Sequence, residues 1–157
     1  MDISLYEQQV EELNRKLTFQ RSRYLKEEYE HYRITDMQYS VLSYIQQHPC
    51  TTIGSVAKAL HTDAGNMSAL CKKLEHSGYL IRKKREQDER IVELCTSQSG
   101  ALCVQTISRK IQQHYEEQWK QYNYKDKEII VKGLEKLNQF LDVCERRTCD
   151  DKKRNSV

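Results

Sequence analysis

The feature that most constrains this chain is a change of hydrophobic period at Gly78. Upstream, two short segments place apolar residues at helical spacing: Ile53, Val56, Ala57 and Leu60, then Met67, Leu70, Cys71 and Leu74. Steps of three and four put such residues on one face of a helix. Downstream, Tyr79-Leu-Ile81 is short and apolar, and Val92 and Leu94 alternate within Ile91–Thr96 as in a strand. Between them lies the charged run Arg82-Lys-Lys-Arg-Glu-Gln-Asp-Glu-Arg90. The pattern reads as two helices joined by a tight break at His61–Thr62, followed by a hairpin, or wing. Thr62 is the expected N-cap of a helix over 63–76, and Gly78 the expected left-handed residue at its end. The charged connection lacks an Asn-Gly turn, so a loop longer than two residues is expected.

The flanks are helical. Only 5 Gly and 1 Pro occur in 157 residues, which favours long helices over a turn-rich β fold. Residues 3–30 read as one helix carrying Ile3, Tyr6, Val10, Leu13, Leu17, Tyr24 and Leu25. Thr35-Asp-Met-Gln38 is a capping-box pattern. The helix it opens, 36–47, turns Met37, Val41, Leu42 and Ile45 inward and stops before Pro49. After Ser97, helices are expected over 98–122 and 126–147, with a polar, frayed tail from Asp150 to Val157. The fold class is therefore mainly α with a small β wing: a winged helix-turn-helix with long N- and C-terminal dimerisation helices. The whole chain, 1–157, reads as a single winged-helix domain, with the DNA-binding module at 35–97. Residues 1–30 and 98–147 form the helical dimerisation region. Their apolar faces exceed what a small module needs, so two-fold pairing is expected; a thick monomeric bundle is the alternative.

A formal charge of +3, from 26 basic and 23 acidic residues, decides little, because location outweighs the sum. The location is informative. A major groove about 12 Å wide admits one helix. With Met67, Leu70 and Leu74 inward, helix 63–76 offers Asn66, Ser68, Ala69, Lys72 and Lys73 on its other side. Asn66 suits a bidentate pair with adenine, Ser68 a base or phosphate, and the lysines the backbone. Taken singly, each lysine is an ordinary solvated residue. The reading strengthens because Arg82, Lys83, Lys84, Arg85 and Arg90 follow on a hairpin that can track phosphates. Asp88 is expected to brace Arg90. The partner implied is double-stranded DNA with a roughly palindromic operator, bound by a homodimer. A winged-helix protein-interaction module without DNA binding is the rival reading.

The stretch Asp63-Ala-Gly-Asn-Met-Ser-Ala-Leu-Cys-Lys-Lys-Leu-Glu-His-Ser-Gly-Tyr-Leu80, with Asp88-Glu-Arg90 and Thr96-Ser-Gln-Ser-Gly100, resembles the MarR family of bacterial transcriptional regulators. The resemblance covers roughly 35–100. It implies a homodimer built through the terminal helices, a repressor released by a small ligand or oxidation, Arg90 as the wing arginine on DNA supported by Asp88, and Ser68 on the recognition face. Family members often carry a basic residue directly after the position of Ser68; Ala69 stands there, so base preference does not carry over.

Several signals are candidates for control. The six cysteines at 50, 71, 95, 103, 144 and 149 form no CxxC pair. The family's peroxide-sensing branch has a cysteine early in its first long helix, and none precedes Cys50 here. Cys71 beside Lys72 and Lys73 reads either as a stabilised thiolate or as a small buried hydrophobe. Cys144 and Cys149 are candidates for pairing between subunits. Tyr24, Tyr32, Tyr39 and Tyr44 are candidates for a pocket holding a small aromatic or phenolic effector, or simply fill the core. His31 and His114, with Glu27 or Glu117, are the weak zinc candidates, and surface histidines explain them equally; no metal and no cofactor is expected. No Gly-rich phosphate loop, Gly-x-Ser-x-Gly elbow or His-Glu-x-x-His motif is present, so no enzyme is expected. The acidic N-terminus and the absence of any long apolar run imply a cytoplasmic protein without membrane contact.

Overall fold

In a computed structural model, residues 2–85 and 88–154 are described, with side chains except those of Glu89 and 144–154. The elements in chain order are helices α1 (Ile3–Tyr24), α2 (Lys26–Tyr32) and α3 (Asp36–Gln47), strand β1 (Thr51–Thr52), helices α4 (Ile53–Ala59) and α5 (Ala64–His76), strands β2 (Leu80–Arg85) and β3 (Asp88–Thr96), and helices α6 (Gln98–Gln121) and α7 (Tyr124–Arg154). Two compact units divide at Gln112.

The first unit, 1–112, holds the core. Leu25, Val41, Leu42 and Ile45 meet Val56, Met67, Cys71 and Leu74 from the two short helices, Leu80 and Leu94 from the sheet, and Cys103, Val104 and Ile107 from α6. The single helix expected over 3–30 is interrupted at Leu25, which is completely buried at φ −97° and ψ 1°. Hydrogen bonds still run through it, Leu25 N–H to Arg21 O and Tyr29 N–H to Leu25 O. The local bend delivers Leu25 to the core while α1 itself buries nothing. Two further ties hold α1 and α2 against α3: Tyr29 Oη of α2 donates to Asp36 Oδ1 at 2.7 Å, and Arg21 Nε of α1 lies 3.2 Å from the same oxygen.

The capping box forms as expected. Thr35 accepts from Gln38 N–H at 3.2 Å and Gln38 Oε1 accepts from Thr35 N–H at 2.8 Å. Met37, expected inward, is exposed. It sits in the first turn, on the outer side of the stripe formed by Val41, Leu42 and Ile45. The sheet has three strands in the order β1-β3-β2 rather than two, because Thr51 and Thr52 pair with Leu94 and Glu93.

Strands β2 and β3 reach Arg85 and Asp88, so only residues 86 and 87, outside the described set, separate them. The longer loop expected from the charge run is replaced by ladder. Register is regular from Leu80 opposite Thr96 to Lys84 opposite Val92, then shifts so that Arg85 pairs with Asp88.

Gly78 has φ 76°, as a helix end of this kind requires. Ser97 then locks the return of the chain. Its Oγ donates to Gly78 O at 2.6 Å and accepts from Gly100 N–H at 3.0 Å. Gly100 has no room for a side chain, since a Cβ would lie 2.1 Å from Tyr79 O.

The second unit, 113–157, comprises the end of α6 and α7. Asn123 caps α7 by accepting from Asp126 N–H at 3.0 Å, and Lys127 Nζ sits 4.3 Å from the Trp119 ring centroid. Helix α7 runs from Tyr124 to Arg154, longer at both ends than the expected 126–147, so residues 150–154 are helical rather than a frayed tail. Among the described residues, no helix is long and apolar enough to cross a membrane.

Candidate nucleic-acid interface

Helix α5 is positioned by Met67, Cys71 and Leu74, all fully buried. At 100° per residue the opposite side is Gly65, Ala69, Lys72 and His76, flanked by Asn66 and Lys73, and every one of these is exposed. Small residues at Gly65 and Ala69 let the helix backbone approach a surface closely. His76 was missed from the sequence; its place nine residues before Arg85 gave no motif, although its helical angle puts it in line with Ala69 and Lys72.

The N-terminus of α5 differs from expectation. Asp63, not Thr62, is the cap, accepting from Asn66 N–H at 2.8 Å, while Thr62 Oγ1 donates to Leu60 O. The Asn66 amide also donates to the second carboxylate oxygen of Asp63. A carboxylate therefore occupies the end of the helix dipole where a phosphate would otherwise bind. Asn66 must leave Asp63 to present its amide to a base, and anion contacts shift to the lysines. Ser68 is half-buried, on the edge of the exposed face.

The basic side chains of the wing divide by strand face. Leu80 and Leu94 point inward, and Arg82, two residues from Leu80 and opposite Leu94, points inward with them. Its Nε lies 3.0 Å from Glu75 Oε2, its Nη2 donates to Ser68 O at 3.4 Å, and its side chain is only 20% exposed. Arg82 thus ties the wing to α5 and is withdrawn from the phosphate-tracking set in which the sequence placed it. Arg85 is half-engaged, with Nε 2.5 Å from Glu93 Oε1. Lys83, Lys84 and Arg90 are exposed. Asp88 Oδ1 accepts from the backbone N–H of Arg90 at 3.0 Å, so it braces this residue through the main chain.

The control candidates fare unevenly. Cys71 is fully buried, and burial pushes its thiol above the ordinary range, with Arg82 opposing the shift. The thiolate reading beside Lys72 and Lys73 is overturned in favour of the buried hydrophobe. The side chains of Cys144 and Cys149 lie outside the described residues.

Tyr24, Tyr32, Tyr39 and Tyr44 all belong to or pack on the core rather than converging on a pocket. Tyr39 Oη pairs with Ser108 Oγ at 3.1 Å, Tyr44 stacks on His48 at 4.2 Å, and Tyr32 O accepts from Tyr79 Oη at 2.9 Å. A groove of about 470 Å³ lies instead between α3 and α6, walled by Gln46, Gln47, Gln105, Arg109 and Gln112. Among the described residues no three His, Cys, Asp or Glu side chains are placed to hold a metal ion.

Comparison with known proteins identifies this arrangement. The MarR family model matches residues 34–92, the segment that carries α3 through most of β3. That match spans well under half of the chain, so through this segment the chain resembles the MarR family. The chain is similar to the organic hydroperoxide resistance transcriptional regulator of Bacillus subtilis, 33% identical over 44% of this chain and 47% of that protein. It is also similar to the HTH-type transcriptional regulator SarZ of Staphylococcus epidermidis, 35% identical over 49% of each. The chain thus matches about half the length of these curated relatives. In fold the likeness is broader. FabT of Streptococcus pneumoniae, solved in complex with DNA, superposes with a TM-score of 0.71 at 24% identity, covering 88% of this chain and 96% of that one. A winged helix-turn-helix with long helical flanks is thereby shown as the fold.

Proposed function

We propose that this protein is a MarR-family member that binds double-stranded DNA as a homodimer and regulates transcription, with α5 in the major groove and the wing on the phosphates. One observation carries the reading: the outward side of α5 is small at Gly65 and Ala69, basic at Lys72 and Lys73, and continued by the exposed Lys83, Lys84 and Arg90 of the wing. A helix narrow enough to enter the groove, beside cations placed for the backbone, is the arrangement that duplex recognition requires. The similar proteins named above support it, since they are transcriptional regulators.

The dimer is supported by exposed apolar side chains in the flanking helices, among them Leu13, Leu17, Trp119, Ile130 and Leu134. Exposed large apolar residues recurring along helices mark surfaces that pair. A second copy would supply a second recognition helix and hence a preference for two-fold symmetric sites.

For release, the α3–α6 groove suits a small carboxylated effector. Its volume falls in the usual range for ligand sites, and Arg109 with a ring of side-chain amides offers donors to an anion. We read the effector as displacing DNA, which makes the protein a repressor.

Selection from a random duplex library, followed by anisotropy titration, tests the function. Enrichment of palindromes and a steep fall of affinity with salt are expected. Equal affinity for random and selected duplexes at every salt concentration refutes it. Native mass measurement at micromolar concentration tests the dimer, and a persistent monomer refutes that part.

A further inference from the structure

Cys50, in the turn just before β1, and Cys95 of β3 are brought close together by the fold, a placement that sequence spacing alone did not reveal. Thr51 pairs with Leu94 and Thr52 with Glu93, so the same register carried one residue back, past the start of β1, directs Cys50 towards Cys95, which is also the first influence on its thiol. Both are free thiols; Cys50 is exposed and Cys95 half-buried. The face they share is the outer one, since Leu94, the neighbour of Cys95, is fully buried on the other side.

Opposed residues in an antiparallel pair have Cα atoms about 4.5 or 5.5 Å apart. A disulfide needs about 4.4–6.8 Å, a spacing that the β1–β3 pairing brings within reach of the residue next to it. The neighbouring Cys95, ahead of burial and then Glu93, holds the Cys50 thiol above its ordinary range. Cys50 also has φ 62°, a left-handed conformation that few side chains other than Asn or Asp adopt. The chain holds it there between Pro49 and the two-residue strand. An uncommon backbone state in an exposed cysteine that faces a second cysteine points to a use for the pair.

We infer that Cys50 and Cys95 are a reversible oxidation site, closed to an intrachain disulfide by hydroperoxides, that staples β1 to the central strand of the wing. The exposed Cys50 attacks the peroxide O–O bond as its thiolate. One oxygen stays on sulfur as sulfenic acid and the other leaves as alcohol or water with the thiol proton. The Cys95 thiol then attacks that sulfur, the S–S bond forms and water departs. The two thiols lose two electrons, and the peroxide takes them. Because Cys50 holds its proton tightly, closure needs sustained oxidant.

The consequence is mechanical. Strand β1 joins the sheet through two residue pairs and leads directly into α4. The staple closes a loop over residues 50–95, which contains both short helices and β2, and removes conformational freedom from the unfolded chain. The site stands whether or not the protein binds DNA.

Peptide mapping of the full chain after treatment with hydrogen peroxide, under non-reducing conditions, tests it. Expected are a Cys50–Cys95 linked peptide, the loss of two hydrogens per chain, a rise of several degrees in Tm, and reversal of all three by dithiothreitol. Linkage of either cysteine to a different partner, a linked dimer of chains, or over-oxidation of Cys50 with Cys95 left as thiol overturns it. C50S and C95S should each abolish both the link and the Tm rise; a rise that survives in either also overturns it.

Discussion

Arg82 and Arg90 lie in the same basic run, yet the structure assigns them opposite jobs, and replacing each with Ala separates those jobs. Arg90 is exposed and its backbone is fixed by Asp88. In a dimer, Arg90→Ala removes two phosphate contacts. Each contact releases counterions with a slope of about 0.9 in log K against log salt, so the slope should fall by about 1.8. If binding at 1 M salt is unchanged, affinity at 0.1 M falls about 60-fold by the same relation. Stability should hardly change, because the residue is solvated.

Arg82→Ala should do the reverse. It removes an ion pair with Glu75 in which Arg82 is 20% and Glu75 44% exposed, together with the packing of the arginine stem. Partial solvent screening keeps the cost to about 1 kcal/mol. The salt slope should stay at the wild-type value. Anisotropy titrations from 50 to 300 mM salt, paired with urea unfolding, read both quantities. The assignment by strand face is refuted if Arg82→Ala lowers the slope as far as Arg90→Ala does. An unchanged slope for Arg90→Ala removes the wing from the phosphate backbone altogether.

Other consequences follow from the packing and from the shifted groups. Gly100→Ala puts a methyl 2.1 Å from Tyr79 O, and should cost about 1–3 kcal/mol through forced backbone displacement; unfolding at wild-type urea would show that α6 can move away. Burial pushes the Cys103 thiol up to about 11, and raises that of Cys71. Both should therefore resist a thiol reagent at pH 8 until the protein unfolds, and rapid native labelling of either contradicts the core described above. Burial first, and then its hydrogen bond to Asp36, holds the Tyr29 hydroxyl protonated well above its usual range. A raised folded value contributes stability in full below about pH 10, the unfolded value, and loses it as pH climbs through the folded one. Wild type should thus lose stability above pH 10, and Tyr29→Phe should lose less of it; parallel alkaline unfolding curves contradict that role.

What the sequence made legible was whatever rests on local chemistry. Thr35 and Gln38 announce their own hydrogen bonds, and Gly78 meets a backbone demand that few residues can satisfy. The missed features depend on which strand or helix face a residue occupies. Arg82 looks like any other member of a basic run until the buried Leu80, two positions earlier, fixes the side it faces. The strands extend into the charged run because backbone pairing does not depend on the polarity of solvent-facing side chains. Thr51 and Thr52 make too short a strand to leave a periodic signal, and without β1 the relation between Cys50 and Cys95 has no sequence counterpart. Thr62 and Asp63 are both good caps, and only the chain path chooses between them. The tyrosines misled for a related reason: a ring with a hydroxyl suits a pocket or a core, and Tyr39 found Ser108.

Hydrogen–deuterium exchange with and without a selected operator duplex addresses the recognition surface most directly. Protection concentrated at 63–76 and at 82–90 is the result expected when α5 and the wing contact DNA. Tight binding that leaves both segments exchanging at their unbound rates, with protection elsewhere, would contradict it.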